Sequence, residues 1–405
     1  MISRRSFTAG LAGISLMPAP LRAAMLPAWR PGLLDIHFIA TGRGDATLIV
    51  APSGRTALID VGAAAGTGPE MVAPMPDASV SPGRRVAAYV KRRLAETGGT
   101  RLDTLAITHF HDDHIAGAAD LLDEIQVSRI LDRTWPDYGY PPFEGPAGVA
   151  YVALMQERAR RGGAIERLRV GTTGQILPSA NSAESVDIRT VAASGSIWTG
   201  QGQEKRALFP EPGTLSATDI PNENANSAAF LVTVGRFRAF IGGDLTDWAD
   251  AGTRPWLNAL TPAAKACGPV HVATLPHHGL FDASSSATVQ ALAARDWIIS
   301  AWHAAHPSIE TLERVLNPRL YPGPRDIWAT TIHAAADLAM ERLTRRFASR
   351  HGNIVCRVGE RGETWSIIVT DPGSETILLS KHRSKFCRRQ QMKSPLNSAS
   401  NDHLG

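Results

Sequence analysis

The 405-residue chain is 43% hydrophobic and 20% charged, an ordinary balance for a globular protein able to bury a sizeable core. Three widely spaced cysteines, Cys267, Cys356 and Cys387, exclude a disulfide framework and a C-x-x-C metal site. The net charge of +4 comes from the ends: with Arg4, Arg5, Arg22 and the basic stretch 381–405 set aside, residues 25–380 carry −4, which disfavours a domain built to hold long nucleic acid.

In chain order, residues 1–24 read as a twin-arginine export signal. Ser3-Arg4-Arg5-Ser6-Phe7 precedes a short apolar run and a small-residue cleavage candidate near Ala23-Ala24, so the mature protein is expected in the periplasm or outside the cell. That run is too short to span a bilayer, and no later stretch qualifies, so no integral membrane segment is expected after signal removal. Residues 25–380 read as one large globular domain. Expected strands are 34–39, 46–50, 56–60, 104–108, 188–193, 228–234, 237–242, 270–275 and 297–301, with a terminal hairpin over 353–358 and 363–370. Expected helices are 83–97, 115–125, 149–161, 255–266, 287–293, 309–316 and 335–350. Gly/Pro-rich insertions at 66–83 and 133–148 are candidate walls of a groove. The second is dense in aromatic rings, which suit either stacking on a substrate or pinning the loop to the core. Residues 381–405 read as a basic tail without a fold of their own.

The stretch Thr108-His109-Phe110-His111-Asp112-Asp113-His114 packs three imidazoles and two carboxylates between an apolar strand and a helix. Residues two apart on extended backbone share a side, which places His109 with His111. Asp113 and His114, at the helix start, diverge toward a second ion, so one cluster can serve a two-metal hydrolytic site. Asp112 either orients a ligand histidine or caps the following helix.

This H-x-H-x-D-H run resembles the signature of the metallo-β-lactamase-fold hydrolases. Leu58-Ile59-Asp60-Val61-Gly62, Phe240-Ile241-Gly242-Gly243-Asp244 and Leu275-Pro276-His277-His278-Gly279 resemble further motifs of that family, in its order. The resemblance implies an α+β fold, a four-layer αββα metallo-β-lactamase sandwich. A narrower likeness is to the ComEC/Rec2-type metallo-β-lactamase-like domain. It rests on Ile39-Ala40-Thr41-Gly42-Arg43-Gly44-Asp45-Ala46, on Asn222-Glu223-Asn224-Ala225-Asn226-Ser227, on Ser284-Ser285-Ser286 and on His306-Pro307-Ser308.

The family resemblance implies a ligand set of His109, His111, Asp113, His114, Asp244 and His278, with Asp244 bridging and Asp60 at the edge of the site. Between Gly117 and Asp244 there is no histidine, where most two-metal members carry one; Asn226 or Ser227 stands in that place. The first metal site therefore rests on His109, His111 and Asp244, and the second on Asp113, His114, Asp244 and His278. Mixed nitrogen and oxygen ligands suit one or two Zn²⁺ ions, and Mn²⁺ is also compatible. His277 and His278 compete for one ligand position, His278 being favoured, with His277 beside it; His306 is a candidate substrate contact, as are His303 and His333. His37 and His271 alternate with apolar residues and read as satisfied core or edge histidines.

The expected activity is an exported metal-dependent hydrolase that attacks with metal-activated hydroxide, with Asp113 and His278 as catalytic residues. Phosphodiesters or related phosphoesters, small or polymeric, are the favoured substrates. Carboxylic esters or lactones are the alternative within the class, and a non-catalytic binding protein retaining the fold is the alternative outside it.

Overall fold

The computed structural model describes residues 24–141, 145–178, 185–249 and 252–384. The expected export signal lies outside them except for Ala24, as does the basic stretch beyond Ser384.

Two sheets carry the chain. The first has nine strands, in spatial order Ile377–Ser384, Thr364–Thr370, Asn353–Val358, Leu34–Phe38, Thr47–Val50, Thr56–Ile59, Arg101–Ala106, Gln126–Asp132 and Ala164–Arg167. The second has eight: Asp326–Ala329, Asp296–Ile299, Val272–Thr274, Phe237–Ile241, Ala229–Val234, Asp187–Ala193, Ser196–Trp198 and Lys205–Ala207. Pairing is antiparallel in hairpins and parallel from Thr56–Ile59 through Ala164–Arg167 and from Phe237–Ile241 through Asp326–Ala329.

Strand residues alternate between faces, and that alternation builds the layers. Ile49, Ile59, Ala106 and Leu131 face a core shared with Phe230, Val232, Phe240, Trp297 and Trp328 of the second sheet. Their neighbours Leu48, Leu58, Leu105 and Ile130 turn the other way, against Val86, Val90, Leu94 and Leu121 of the covering helices. The result is helix on sheet on sheet on helix, a mixed α/β sandwich of the expected class. The helix Pro82–Thr97 is well specified locally: Ser81 accepts from the Arg84 amide, proline opens the first turn, and Gly98 ends it at φ +73°.

Several expected elements differ. The single helix over 115–125 breaks into Asp112–Ile115 and Ala118–Glu124. At Gly117 the amide donates to the Val61 carbonyl, and a Cβ would sit 2.9 Å from the Gly83 Cα, so close packing draws the backbone out of the helical ladder. The helix over 255–266 becomes a 3-10 turn, Pro255–Leu257, followed by Leu260–Cys267, and that over 335–350 becomes Ala334–Ala339 and Glu341–Thr344 about Met340 at φ −116°. The first residues of the stretch expected as a basic tail from 381 are folded. Residues 381–384 belong to the last strand, where Lys381 and Arg383 pair with Asp326, and Arg383 also with Asp296.

The insertions are packed. Residues 70–75 bond to Trp302, Ala304 and Thr41. In 133–148, of which 142–144 lie outside the described residues, the Asp132 carboxylate accepts from the amides of Thr134 and Trp135 and from the Tyr138 hydroxyl. The Tyr138 ring lies 5.8 Å from that of Phe110, so it pins this loop to the core. Among the described residues no helix is long and apolar enough to cross a membrane.

Candidate metal centre

The site forms where strands of both sheets end. Thr56–Ile59 runs into Asp60, Arg101–Ala106 into residues 108–114, Phe237–Ile241 into Asp244, Val272–Thr274 into His277 and His278, and Asp296–Ile299 into Trp302. Strand ends leave side chains free to converge without breaking a ladder, which is why ligands gather at this edge in open α/β sheets.

Two groups meet there. Asp113, His114, Asp244 and His278, all buried, each offer one ligand atom within 4.8 Å of the others. His109, His111 and Asp244 form an adjoining group by the same measure, with His111 half-buried. Asp244 belongs to both. His278 Nε2 lies 2.7 Å from Asp113 Oδ2 and 3.4 Å from Asp244 Oδ2. His114 Nε2 lies 3.3 Å from Asp244 Oδ1, yet both atoms are buried with no hydrogen-bond partner. A buried polar atom left unpaired is costly, and a cation between such atoms would satisfy both.

The partners behind the imidazoles fix how they face. His278 Nδ1 is 2.9 Å from the Ser300 carbonyl, which can only accept, so Nδ1 carries a proton and Nε2 is the nitrogen turned toward the cluster. His114 Nδ1 is held the same way by Asp60 Oδ2 at 2.8 Å. Thr108 Oγ1 donates to Asp60 and stands 3.0 Å from His109 Nδ1, so it accepts there and frees His109 Nε2. Asp60 thus orients two ligand histidines while also accepting from the Thr108 amide.

Charge follows burial and neighbours. Burial opposes the charged forms of Asp113 and Asp244, yet the imidazoles outweigh it. His114 holds Asp113 well below the usual carboxylate range, and His114 with His278 does the same for Asp244. At Asp60 burial wins and raises the carboxyl despite His114 and Thr108. His109 is pushed well down by burial and by His114, and His306 by burial and by His278.

The remaining expected residues fall around this centre. His277, at φ +51°, turns away to Asp282 through Nδ1 and to Asn224 through Nε2. Asp112 accepts from the amides of Asp113 and Ala65, so its bonds hold the helix start and a neighbouring loop. Ser227 accepts from the Asp244 amide, and the Asn226 side-chain amide donates to the carbonyls of Pro221 and Asn222. His306 stacks on His278 with ring centroids 4.6 Å apart. His333 caps a helix by accepting from the Ala335 amide, which gives it a structural task away from the ligand groups. His37 is satisfied by the Tyr89 hydroxyl, and His271 by the Arg238 amide.

Four further residues stand at the site that were not expected there. Trp302 donates from its indole to Asp113 Oδ2 at 2.9 Å. Asp45 receives no hydrogen bond at Oδ1, which is buried 3.5 Å from His278 Nδ1. Glu223 and Arg133 form a buried pair against Phe110. Asp45 and Glu223 sit in the family-like stretches 39–46 and 222–227, which offered a signal; Trp302 and Arg133 did not.

The family model described as Metallo-beta-lactamase superfamily matches residues 40–191 of the chain. Solved structures similar to the chain include the metallo-beta-lactamase fold protein YhfI from Bacillus subtilis, at 10% identity, covering 73% of this chain and 95% of that one with a TM-score of 0.39. CmlA, a diiron beta-hydroxylase from Streptomyces venezuelae, is similar at 13% identity, covering 82% and 55% with a TM-score of 0.38. Zn²⁺-bound PqqB from Methylobacterium extorquens is similar at 10% identity, covering 80% and 99% with a TM-score of 0.36. No curated protein matches the chain.

Proposed function

We propose that this protein is a metal-dependent hydrolase acting on phosphodiesters or related phosphoesters. The observation that carries the reading is the pair of adjoining ligand groups sharing Asp244, with histidine Nε2 atoms turned inward by Asp60, Thr108 and Ser300. His109, His111 and Asp244 would hold one ion, and Asp113, His114, Asp244 and His278 another; the mixed nitrogen and oxygen donors suit Zn²⁺, and Mn²⁺ as a second choice. A divalent cation there supplies Lewis acidity and makes water a competent nucleophile near neutral pH.

The chain's own groups do the rest. Asp113, charged at neutral pH and held between His278 and the Trp302 indole, would align the attacking water through a carboxylate oxygen. His278, fixed by the Ser300 carbonyl, keeps Asp113 in place and its own Nε2 on the cluster. The acidic balance of residues 25–380 and the ComEC/Rec2-type likeness favour a small or exported polymeric phosphoester over long nucleic acid. The twin-arginine pattern at Arg4-Arg5 supports export of the mature protein to the periplasm or beyond; fusing residues 1–24 to a reporter that is active only after export tests this, and a reporter retained in the cytoplasm rejects it.

Zinc-loaded protein would be assayed on bis(4-nitrophenyl) phosphate, 4-nitrophenyl acetate, a simple lactone and nitrocefin. Turnover of the phosphodiester that disappears on chelation is expected. Silence on it with turnover of the acetate or the lactone would move the enzyme to carboxylic esters. A chain that binds no metal, and whose properties are indifferent to His111→Ala and His114→Ala, would be a binding protein that keeps the fold.

A further inference from the structure

The backbone amide of Phe110 lies between the ligand candidates His109 and His111, and it donates to Glu223 Oε1 at 2.8 Å. The same carboxylate receives a two-pronged contact from Arg133, Nε to Oε1 at 2.8 Å and Nη2 to Oε2 at 2.7 Å. Glu223 is 3% exposed and Arg133 2%, so this is a buried ion pair. The guanidinium also lies over the Phe110 ring, 4.4 Å from its centroid.

The pair ties together three segments that are remote in sequence. The Arg133 carbonyl accepts from the Ser194 hydroxyl, the Ser194 amide donates to the Asn226 carbonyl, and the Asn226 amide donates to the Glu223 carbonyl. Ser227, next along, holds the Asp244 amide. The circuit therefore grips the His109–His111 backbone on one side and Asp244 on the other. These are the three members of the ligand group that has no fourth histidine or carboxylate among the described residues.

We infer that Glu223 is a positioning residue for the three-ligand metal site: its carboxylate, oriented by Arg133, fixes the Phe110 amide so that His109 and His111 stay aimed at Asp244. The physical ground is direct. A charged acceptor makes a short, strong bond to a buried N–H, and a planar guanidinium fork leaves that acceptor one orientation. A site with three ligands depends on such support more than one with four, because each misaligned ligand removes a larger share of its coordination. The inference rests on the reading that His109, His111 and Asp244 hold an ion.

Zinc alone is the probe, titrated into metal-free protein against a competing chelator. Wild type is expected to take two ions of unequal affinity. Glu223→Gln keeps the side chain's size and removes its charge; it is expected to weaken the looser ion at least about tenfold while leaving the tighter one within about twofold, as supporting residues of metal ligands commonly do. Arg133→Lys, which keeps the charge and loses the fork, is expected to shift the same ion in the same direction and serves if Glu223→Gln does not fold. Asp35→Asn breaks another buried pair, with Arg357, and is expected to lower stability without moving either zinc affinity. Two ions bound by Glu223→Gln and Arg133→Lys with wild-type affinities would overturn the inference. So would a wild-type chain that takes only one ion, or equal weakening in Asp35→Asn. A wild-type chain that takes none would overturn the reading on which it rests.

Discussion

His278 Nε2 stands 2.7 Å from Asp113 Oδ2, although 165 residues separate the two in sequence. The first sheet delivers Asp113 and the second His278, so the contact joins the two halves of the sandwich at the candidate metal centre. His278→Ala removes both a cluster nitrogen and the neighbour that fixes Asp113. Turnover of the phosphodiester is expected to fall on the order of 100-fold or more, with the folded state retained by far-UV circular dichroism. Activity within a factor of three of wild type would rule out a catalytic role for His278.

Asp244 is common to both ligand groups, whereas His111 belongs to one. Metal analysis after dialysis is therefore expected to show Asp244→Asn losing both ions and His111→Ala losing one. Equal losses in the two variants would mean that the groups do not act as separate sites.

Asp60 is buried and holds Thr108 twice and His114 once. Asp60→Asn weakens its grip on the His114 proton and disturbs the Thr108 link to His109. A 10- to 100-fold loss of zinc affinity is expected, the usual scale for removing a hydrogen-bonding support from a metal ligand. Calorimetric titration gives the answer, and an unchanged affinity would assign Asp60 to folding alone.

Gly44 is at φ +124°, and a Cβ there would lie 2.0 Å from the Asp113 carbonyl oxygen. The close approach lets the Asp45 amide bond that oxygen at 2.9 Å. Gly44→Ala must push the two loops apart or strain the backbone, and is expected to cost about 1–3 kcal/mol or more in urea unfolding. A midpoint unchanged from wild type would show that the turn relaxes freely.

His271 stacks on Phe237 and meets Trp365 edge to face, accepts the Arg238 amide on Nδ1, and has its pKa pushed down to about 4 by burial. The folded state thus prefers the neutral ring. Its contribution is fully present above the unfolded-chain value of about 6.5 and is lost as pH falls from there toward 4. His271→Asn keeps an acceptor for Arg238 but does not titrate. The stability gap between metal-free wild type and this variant should therefore shrink between pH 7 and pH 4.5; a gap constant with pH would refute the assignment.

Much of the centre is legible in sequence because the ligands come in short motifs at strand ends. Short continuous apolar runs such as Thr47–Val50 and Thr56–Ile59 mark buried strands, and the residues that follow them are free to carry chemistry. Gln126–Asp132, with polar residues at 126, 128 and 129, offers no such run, and the second half of Ile377–Ser384 falls in the stretch from 381 that reads as a tail. Tertiary pairing makes both into strands: the first adds to a parallel edge, and the charges of the second meet Asp296 and Asp326. The break at Gly117 is likewise invisible locally, since it depends on Gly83 and Val61 packing against it.

By itself the sequence determined which residue types gather, in which order, and on which strand ends: His109, His111, Asp113 and His114 in one run, with Asp244 and His278 in later ones. Only the tertiary structure decided which of His277 and His278 turns into the cluster, that Asp60 serves two imidazoles, and that Trp302, Glu223 and Arg133 stand around it. The physical reason is separation. A motif fixes neighbours a few residues apart through backbone geometry, whereas the direction of a lone pair is set by a buried partner that packing brings from elsewhere in the chain.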